Sequence, residues 1–256
     1  MVILKTPEEI ERMRRAGQLA AAALDEVARA VRPGVTGEAL DRLAETFIRD
    51  HGGVPSFKHY RGFPASICLS VDDEVVHGIP DRTPLREGSI VSIDLGVLLD
   101  GFHGDVARTV AVGEVDRLTA RLLAVTEEAL WAGIREAREG RTLGDLGFAI
   151  QQVVEAAGFA VVRDFAGHGI GRALHEEPQV PNYGTPGTGL RLRRGMTLAI
   201  EPMVNAGTAE VRLARDGWTV RTRDRRRSAH FEHTVAVGAD RPDVLTWTPV
   251  AQARIL

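Results

Sequence analysis

Only one cysteine, Cys68, stands in 256 residues. That excludes an internal disulfide framework and fits a reducing compartment. No run of about 18 apolar residues occurs, so no membrane span is expected. The opening residues, Met1-Val2-Ile3-Leu4-Lys5, lack a basic segment followed by an apolar stretch and a small-residue cleavage site. No signal peptide is expected, and the location is read as cytoplasmic. Charge of one sign is missing too: the formal net charge of −3 gives no global bias toward nucleic acid or anionic membrane. What remains, with 44% hydrophobic and 26% charged residues, is ordinary for a soluble globular protein with a sizeable core.

The chain repeats itself over a long period. Arg32-Pro33-Gly34-Val35-Thr36 returns in outline as Arg138-Glu139-Gly140-Arg141-Thr142. Each Thr can cap a helix by accepting from its first-turn amides. Leu40, Leu43, Ala44, Phe47 and Ile48 form the apolar stripe after the first, and Leu146, Ile150, Val153, Val154 and Ala157 after the second. Gly52 and Gly158 mark the helix ends. Downstream, Leu85–Asp94 matches Leu192–Glu201, two ten-residue stretches that read as strands ending on a carboxylate. Each is followed by a second acid, Asp105 or Glu232, heading a strand that closes on Thr-Val-Ala-Val-Gly. His-Gly-Ile precedes each acidic strand, at His77 and at His168. Thr6-Pro7-Glu8-Glu9 predicts an additional N-terminal helix through a capping box, and residues 117–137 are its counterpart. The expectation is a single domain over 1–256 with two α+β halves, roughly 1–115 and 116–256. Their strands should meet in one sheet about a pseudo-twofold axis.

Strand side chains alternate faces. Ser92 and Asp94 therefore share a side opposite Val91, Ile93 and Leu95, and Glu201 shares one with Ala199, opposite Leu198 and Ile200. Asp105 falls with Ala107 and Thr109, and Glu232 with Thr234 and Ala236. Each acid thus stands on a small-residue face whose reverse is apolar. Four carboxylates meeting at the axis would repel one another, and no Arg or Lys shares their faces. Divalent cations would supply both countercharge and a use for the oxygen ligands. Among eight histidines, His77 precedes a glycine and His168 stands between two, where backbone can approach a ligand. His175 follows in Leu174-His175-Glu176-Glu177-Pro178. His51, His59, His103, His230 and His233 read as structural, with His103 and His233 as candidate supports behind metal ligands.

Val75–Pro80, Ser92–Gly96, Asp100–Asp105, Gly167–Gln179, Ala199–Pro202, Asp216–Thr219 and Phe231–Thr234 together resemble the methionine aminopeptidases of type I, in their short bacterial form, across essentially the whole chain. The resemblance implies the pita-bread (creatinase/aminopeptidase) fold, with pseudo-symmetric halves around a central antiparallel sheet. It also implies two divalent metal ions held by Asp94, Asp105, His168, Glu201 and Glu232, with Co, Mn, Fe and Zn all compatible. Asp105 and Glu232 would bridge, Asp94 would complete one site, and His168 with Glu201 the other.

By the same resemblance, Glu201 shuttles the proton, His175 steadies the developing oxyanion and His77 contacts the scissile amide. Tyr60, Phe63, Cys68, His77, Leu174, His175 and Trp218 would bind substrate. Phe63 replaces a common tyrosine and Leu174 a common phenylalanine, which leaves more room. The expected partners are N-terminal methionyl peptides of nascent chains with a small second residue, and neither DNA nor membrane. A monomer is expected. Arg221–Arg227 reads as a solvated hairpin loop, with transient ribosome contact as the functional alternative. An Xaa-Pro peptidase of the same fold, or a creatinase-like hydrolase, would usually carry a further N-terminal domain, and few residues precede Val75 here. A non-catalytic peptide-binding module would have lost ligands, and none is lost.

Overall fold

A computed structural model describes residues 2–247. The first half comprises α1 (Pro7–Ala30), α2 (Gly37–Asp50), β1 (Val54–Pro55), β2 (Cys68–Val71), β3 (Glu74–Val76), β4 (Ile90–Leu99) and β5 (Phe102–Ala111). Then come α3 (Arg117–Arg135), α4 (Leu143–Ala156), β6 (Ala160–Val161), β7 (Gly167–Gly169), β8 (Glu176–Val180) and β9 (Thr197–Ile200). The chain continues through β10 (Met203–Asn205), β11 (Val211–Leu213), β12 (Val220–Thr222), β13 (Ser228–His230), β14 (Glu232–Ala236) and β15 (Asp243–Val244).

The helices begin where the capping residues stand. Thr6 and Glu9 close a capping box on α1, Thr36 accepts from Ala39 N to start α2, and Thr142 with Asp145 closes a second box on α4. These contacts satisfy amides that a helix end leaves unpaired. The apolar stripes of α1 and α2 pack on Val91, Ile93, Leu95 and Val97. Those of α3 and α4 pack on Leu198, Ile200 and Val235. All these sheet residues point away from the acids, so the helices cover one face and the carboxylates occupy the other.

Among the described residues the central antiparallel sheet has nine strands, in the order β1-β4-β5-β14-β9-β7-β8, with β2 on β4 and β15 on β14. The halves meet where β5 pairs with β14, Ala107 opposite Glu232. The duplication extends to individual hydrogen bonds. Gly34 N donates to Leu85 O at 2.8 Å and Leu85 N to Val35 O at 2.7 Å; in the second half Gly140 N donates to Leu192 O at 3.0 Å and Leu192 N to Arg141 O at 2.7 Å.

The ten-residue acidic strands need correction. The first starts only at Ile90 and runs past Asp94 to Leu99, and the second spans Thr197–Ile200, leaving Glu201 just beyond its end. The preceding residues form tight turns, in which Ser89 N donates to Arg86 O and Met196 N to Arg193 O, both at 3.1 Å. Gly88 and Gly195 take φ of 81° and 89° there, a conformation costly for residues with a Cβ. Asp105 likewise lies inside β5 rather than at its head.

Candidate metal centre and substrate pocket

The five side chains expected as metal ligands come together on the helix-free face. Ligand atoms of Asp105, His168 and Glu232, all buried, lie within 4.8 Å of one another. His168 Nε2 is 3.6 Å from Glu201 Oε1 and 4.0 Å from Asp105 Oδ2. His168 Nδ1 contacts its neighbour's carbonyl, Gly169 O, at 2.9 Å. That carbonyl can only accept, so Nδ1 carries a proton and Nε2 is the atom turned toward the acids. Asp94 enters from β4, directly opposite Ala107 and Cys68 in the neighbouring strands.

The register corrects which residues the duplication relates. Matching Thr109 to Thr234 in the repeated string places Asp105 on His230 and Ala107 on Glu232. The hydrogen bonds agree. Thr234 Oγ1 accepts from Asp105 N at 2.9 Å and donates to Asp105 O at 2.8 Å. Thr109 Oγ1 does the same for His230 N and O, at 2.8 and 2.9 Å. Asp105 and Glu232 are therefore not counterparts. Nor are His77 and His168: β2 sets Ser70 opposite Ser92, while β7 sets His168 opposite Ala199, so His168 corresponds to Ser70. His77 follows β3, which belongs to a separate three-stranded sheet with β11 and β12. Of the acids, only Asp94 and Glu201 are true duplicates.

Electrostatics show how ill-suited this cluster is to remain without cations. Burial raises Asp94 well above the carboxylate range, and Asp105 and Glu201 push it further. Burial lifts Asp105 to about 6 against the pull of His168. Glu232 is raised well above its ordinary value by burial and then by Asp105, Glu201 and Asp94. Asp94 Oδ1 and Glu232 Oε1 are buried without a hydrogen-bond partner among the described residues. Such orphaned oxygens are costly, and divalent ions fit them. Cys68 is no rival ligand, because burial and then Asp94 hold its thiol well above its usual pKa, in the weakly ligating protonated form.

Glu201 behaves differently. Burial pushes its carboxyl up, but the His230 hydrogen bond and the nearby His168, His230 and His77 outweigh this and leave it low. Asn182 Nδ2 holds its backbone carbonyl at 3.1 Å. His230, read from sequence as structural, is buried, with Nε2 3.5 Å from Glu201 Oε2. The alternation of β13 and its echo of Asp105 were signals that could have found it. His233 points to the helix side, bonding Thr246 Oγ1 at 2.8 Å and lying against Trp131, so it does not back the metal ligands. His103 pairs with Ser56 at 2.8 Å.

A cavity of about 150 Å³ opens over the acids, lined by every residue expected at the site: Tyr60, Phe63, Cys68, His77, Asp94, Asp105, His168, Leu174, His175, Glu201, Trp218 and Glu232. Phe57 and Arg61 line it as well and were not foreseen. Their surroundings, a tight turn with Arg61 at φ 50°, give no period to read. Phe63 meets Trp218 edge-on at 5.2 Å between ring centroids, and Leu174 is buried beside Met13, Phe102 and Ile170. His175 Nδ1 bonds the Tyr60 hydroxyl at 2.9 Å, and its ring lies 4.2 Å from that of His168. Burial, then His168, holds His175 down at about 4; burial lowers His77 as well. The Arg221–Arg227 run lies outside the cavity. Arg221 pairs with Asp73 and Glu74, and Arg227 with Asp72 and Asp116, while Arg223, Arg225 and Arg226 are exposed.

Residues 11–239 match the family model described as Metallopeptidase family M24. A methionine aminopeptidase of Clostridium perfringens is 52% identical over 96% of this chain and 99% of that relative, and methionine aminopeptidase 1 of Bacillus subtilis is 49% identical over the same shares. A crystal structure of methionine aminopeptidase from Rickettsia prowazekii superposes with a TM-score of 0.95 at 46% identity, covering 96% of this chain and all of that one. Prolidase from Pyrococcus furiosus, at TM-score 0.77 and 22% identity, shares the fold.

Proposed function

The chain belongs to metallopeptidase family M24, and from that premise we propose that it hydrolyses the first peptide bond of proteins and releases their N-terminal methionine. The observation that carries the reading is the joining of two features in one cavity: a buried, under-neutralised cluster of acids with a histidine Nε2 among them, and an apolar aromatic wall beside it. Two divalent ions are the proposed complement, held by Asp94, Asp105, His168, Glu201 and Glu232, and the whole described chain serves as one catalytic unit. When bound, such ions supply Lewis acidity toward water and the peptide carbonyl.

The chain's own groups do the rest. Glu201, ionised because its histidine neighbours outweigh burial, takes the proton of the attacking water and passes it to the departing amine. His175 is neutral near pH 7. Nδ1 is engaged by the Tyr60 hydroxyl at 2.9 Å; in the tautomer that accepts from it, Nε2 carries the proton and donates to the carbonyl oxygen as negative charge grows there. His77, whose pKa burial lowers, contacts the scissile amide. Phe63, Cys68, Leu174 and Trp218 receive the thioether side chain, for which a polarizable wall of limited depth suits methionine. Exclusion of longer second residues, use of nascent chains as substrate, and transient contact of exposed Arg223, Arg225 and Arg226 with ribosomal RNA extend the proposal.

Hydrolysis of Met-Ala-Ser, Ala-Ala-Ser and Ala-Pro-Ala, first metal-free and then with each divalent ion, tests it. Metal-dependent release of methionine from the first peptide alone is expected. Metal-dependent cleavage of Ala-Pro-Ala instead would assign the chain to the proline peptidases.

A further inference from the structure

The segment from Ile170 to Glu176 leaves the sheet after His168 and carries both Leu174 and His175 before rejoining it as β8. His175 is exposed. Its ring therefore depends on how firmly the backbone beneath it is held. Gly171 N donates to Ala173 O at 3.1 Å, and Ala173 N donates to Glu176 Oε1 at 3.2 Å. The other oxygen, Glu176 Oε2, lies 2.6 Å from Lys5 Nζ, and the two side chains are 9% and 2% exposed. A buried ion pair thus joins the end of this loop to a segment 171 residues earlier in the chain.

Three observations set this pair apart from the surface salt bridges. First, its far end is anchored: Lys5 N donates to Gly195 O at 2.7 Å and Nζ also donates to Ile3 O at 3.2 Å. Second, the pair is packed onto the loop backbone itself. A Cβ on Gly171 would lie 2.3 Å from Lys5 Cε and 2.6 Å from Glu176 Oε1. Third, Lys5 is one of only two lysines, with Lys58, in a chain whose other basic side chains are arginines. A compact ammonium fits against Gly171 where a planar guanidinium would need more room.

We propose that Lys5 and Glu176 are positioning residues, a buried brace that fixes the Ile170–Glu176 loop so that His175 and Leu174 stand over the metal centre. The proposal rests on the methionine-releasing activity proposed above. A carboxylate buried against this loop after loss of its cation would seek water or another donor, and the loop would move with it.

The test is a double-mutant cycle with His175, read in steady-state kinetics on Met-Ala-Ser with manganese. Lys5→Met is expected to lower kcat/KM at least tenfold, while the affinity for manganese, measured by calorimetry, changes less than twofold. Because the brace acts through His175, Lys5→Met combined with His175→Ala should be no slower than His175→Ala alone. Glu176→Gln, which keeps an acceptor for Ala173 N and removes only the charge, should give the same non-additive cycle, and it decides the matter if Lys5→Met fails to fold. Effects that multiply, or a lowered Tm with unchanged kcat/KM, would overturn the brace and leave the activity standing. A metal-loaded wild type that releases no methionine would overturn both.

Discussion

His230 and Glu201 show how single side chains can settle a site's chemistry. The acids around Glu201 are driven toward protonation by burial and mutual repulsion, yet Glu201 stays low because His230, His168 and His77 face it. His230 Nε2 sits 3.5 Å from Glu201 Oε2 and has no closer hydrogen-bond partner among the described residues. Replacing it with leucine removes the donor and leaves the carboxylate free to turn. We expect His230→Leu to lower kcat roughly ten- to a hundredfold with little change in KM, the scale of a misplaced general base. His230→Gln, which keeps an N–H, should recover most of it. Steady-state kinetics on Met-Ala-Ser would decide, and a His230→Leu enzyme with normal kcat and Tm would refute the role. The histidine was visible in the sequence but not its importance, because the repeat sets it level with Asp105 without showing that it faces Glu201.

Among elements, α1 and β5 approach each other backbone to backbone. Gly104 lies beside Asp105, on the opposite face of the strand, and a Cβ there would come 2.5 Å from Gly17 N and 2.6 Å from Gly17 Cα in α1. Backbone cannot yield as a flexible side chain can. Gly104→Ala should therefore cost about 1–3 kcal/mol or more and lower Tm by several degrees in a thermal melt. Because the displaced strand carries Asp105, manganese affinity should weaken as well; an unchanged melt would mean that the helix does not lie so close. Helix starts were legible because capping is local: Thr6, Thr36 and Thr142 need only their own first turns. Strand limits were less so. The runs from Leu85 and Leu192 look continuous, and only the turns closed by Gly88 and Gly195 cut them short.

For the whole molecule, the acid cluster ties stability to pH and metal. Asp105 is raised to about 6, with Asp94 and Glu232 raised as well. In the metal-free fold such groups keep protons that the unfolded chain releases near pH 4. Their contribution to stability is present below that pH and is lost as pH rises through about 6. On the proposed assignment cations replace those protons, so binding should release protons and tighten with pH. The rise in Tm on adding manganese should accordingly be larger near pH 7.5 than near pH 5, and EDTA should abolish it. Equal shifts at both pH values, by calorimetry, would argue that these carboxylates do not hold the metal.

The sequence by itself determined the two α+β halves, the helix caps, and the alternation that puts acids on one side of the strands. These follow from patterns within a few residues of each other, repeated once. The tertiary structure alone decided the pairing of Ala107 with Glu232, and the strand neighbours by which His168 answers to Ser70. It also decided the seating of Lys5 on Glu176 and the packing of Gly17 against Gly104. Each of these joins residues far apart in the chain, where register and close approach are fixed by how whole elements pack.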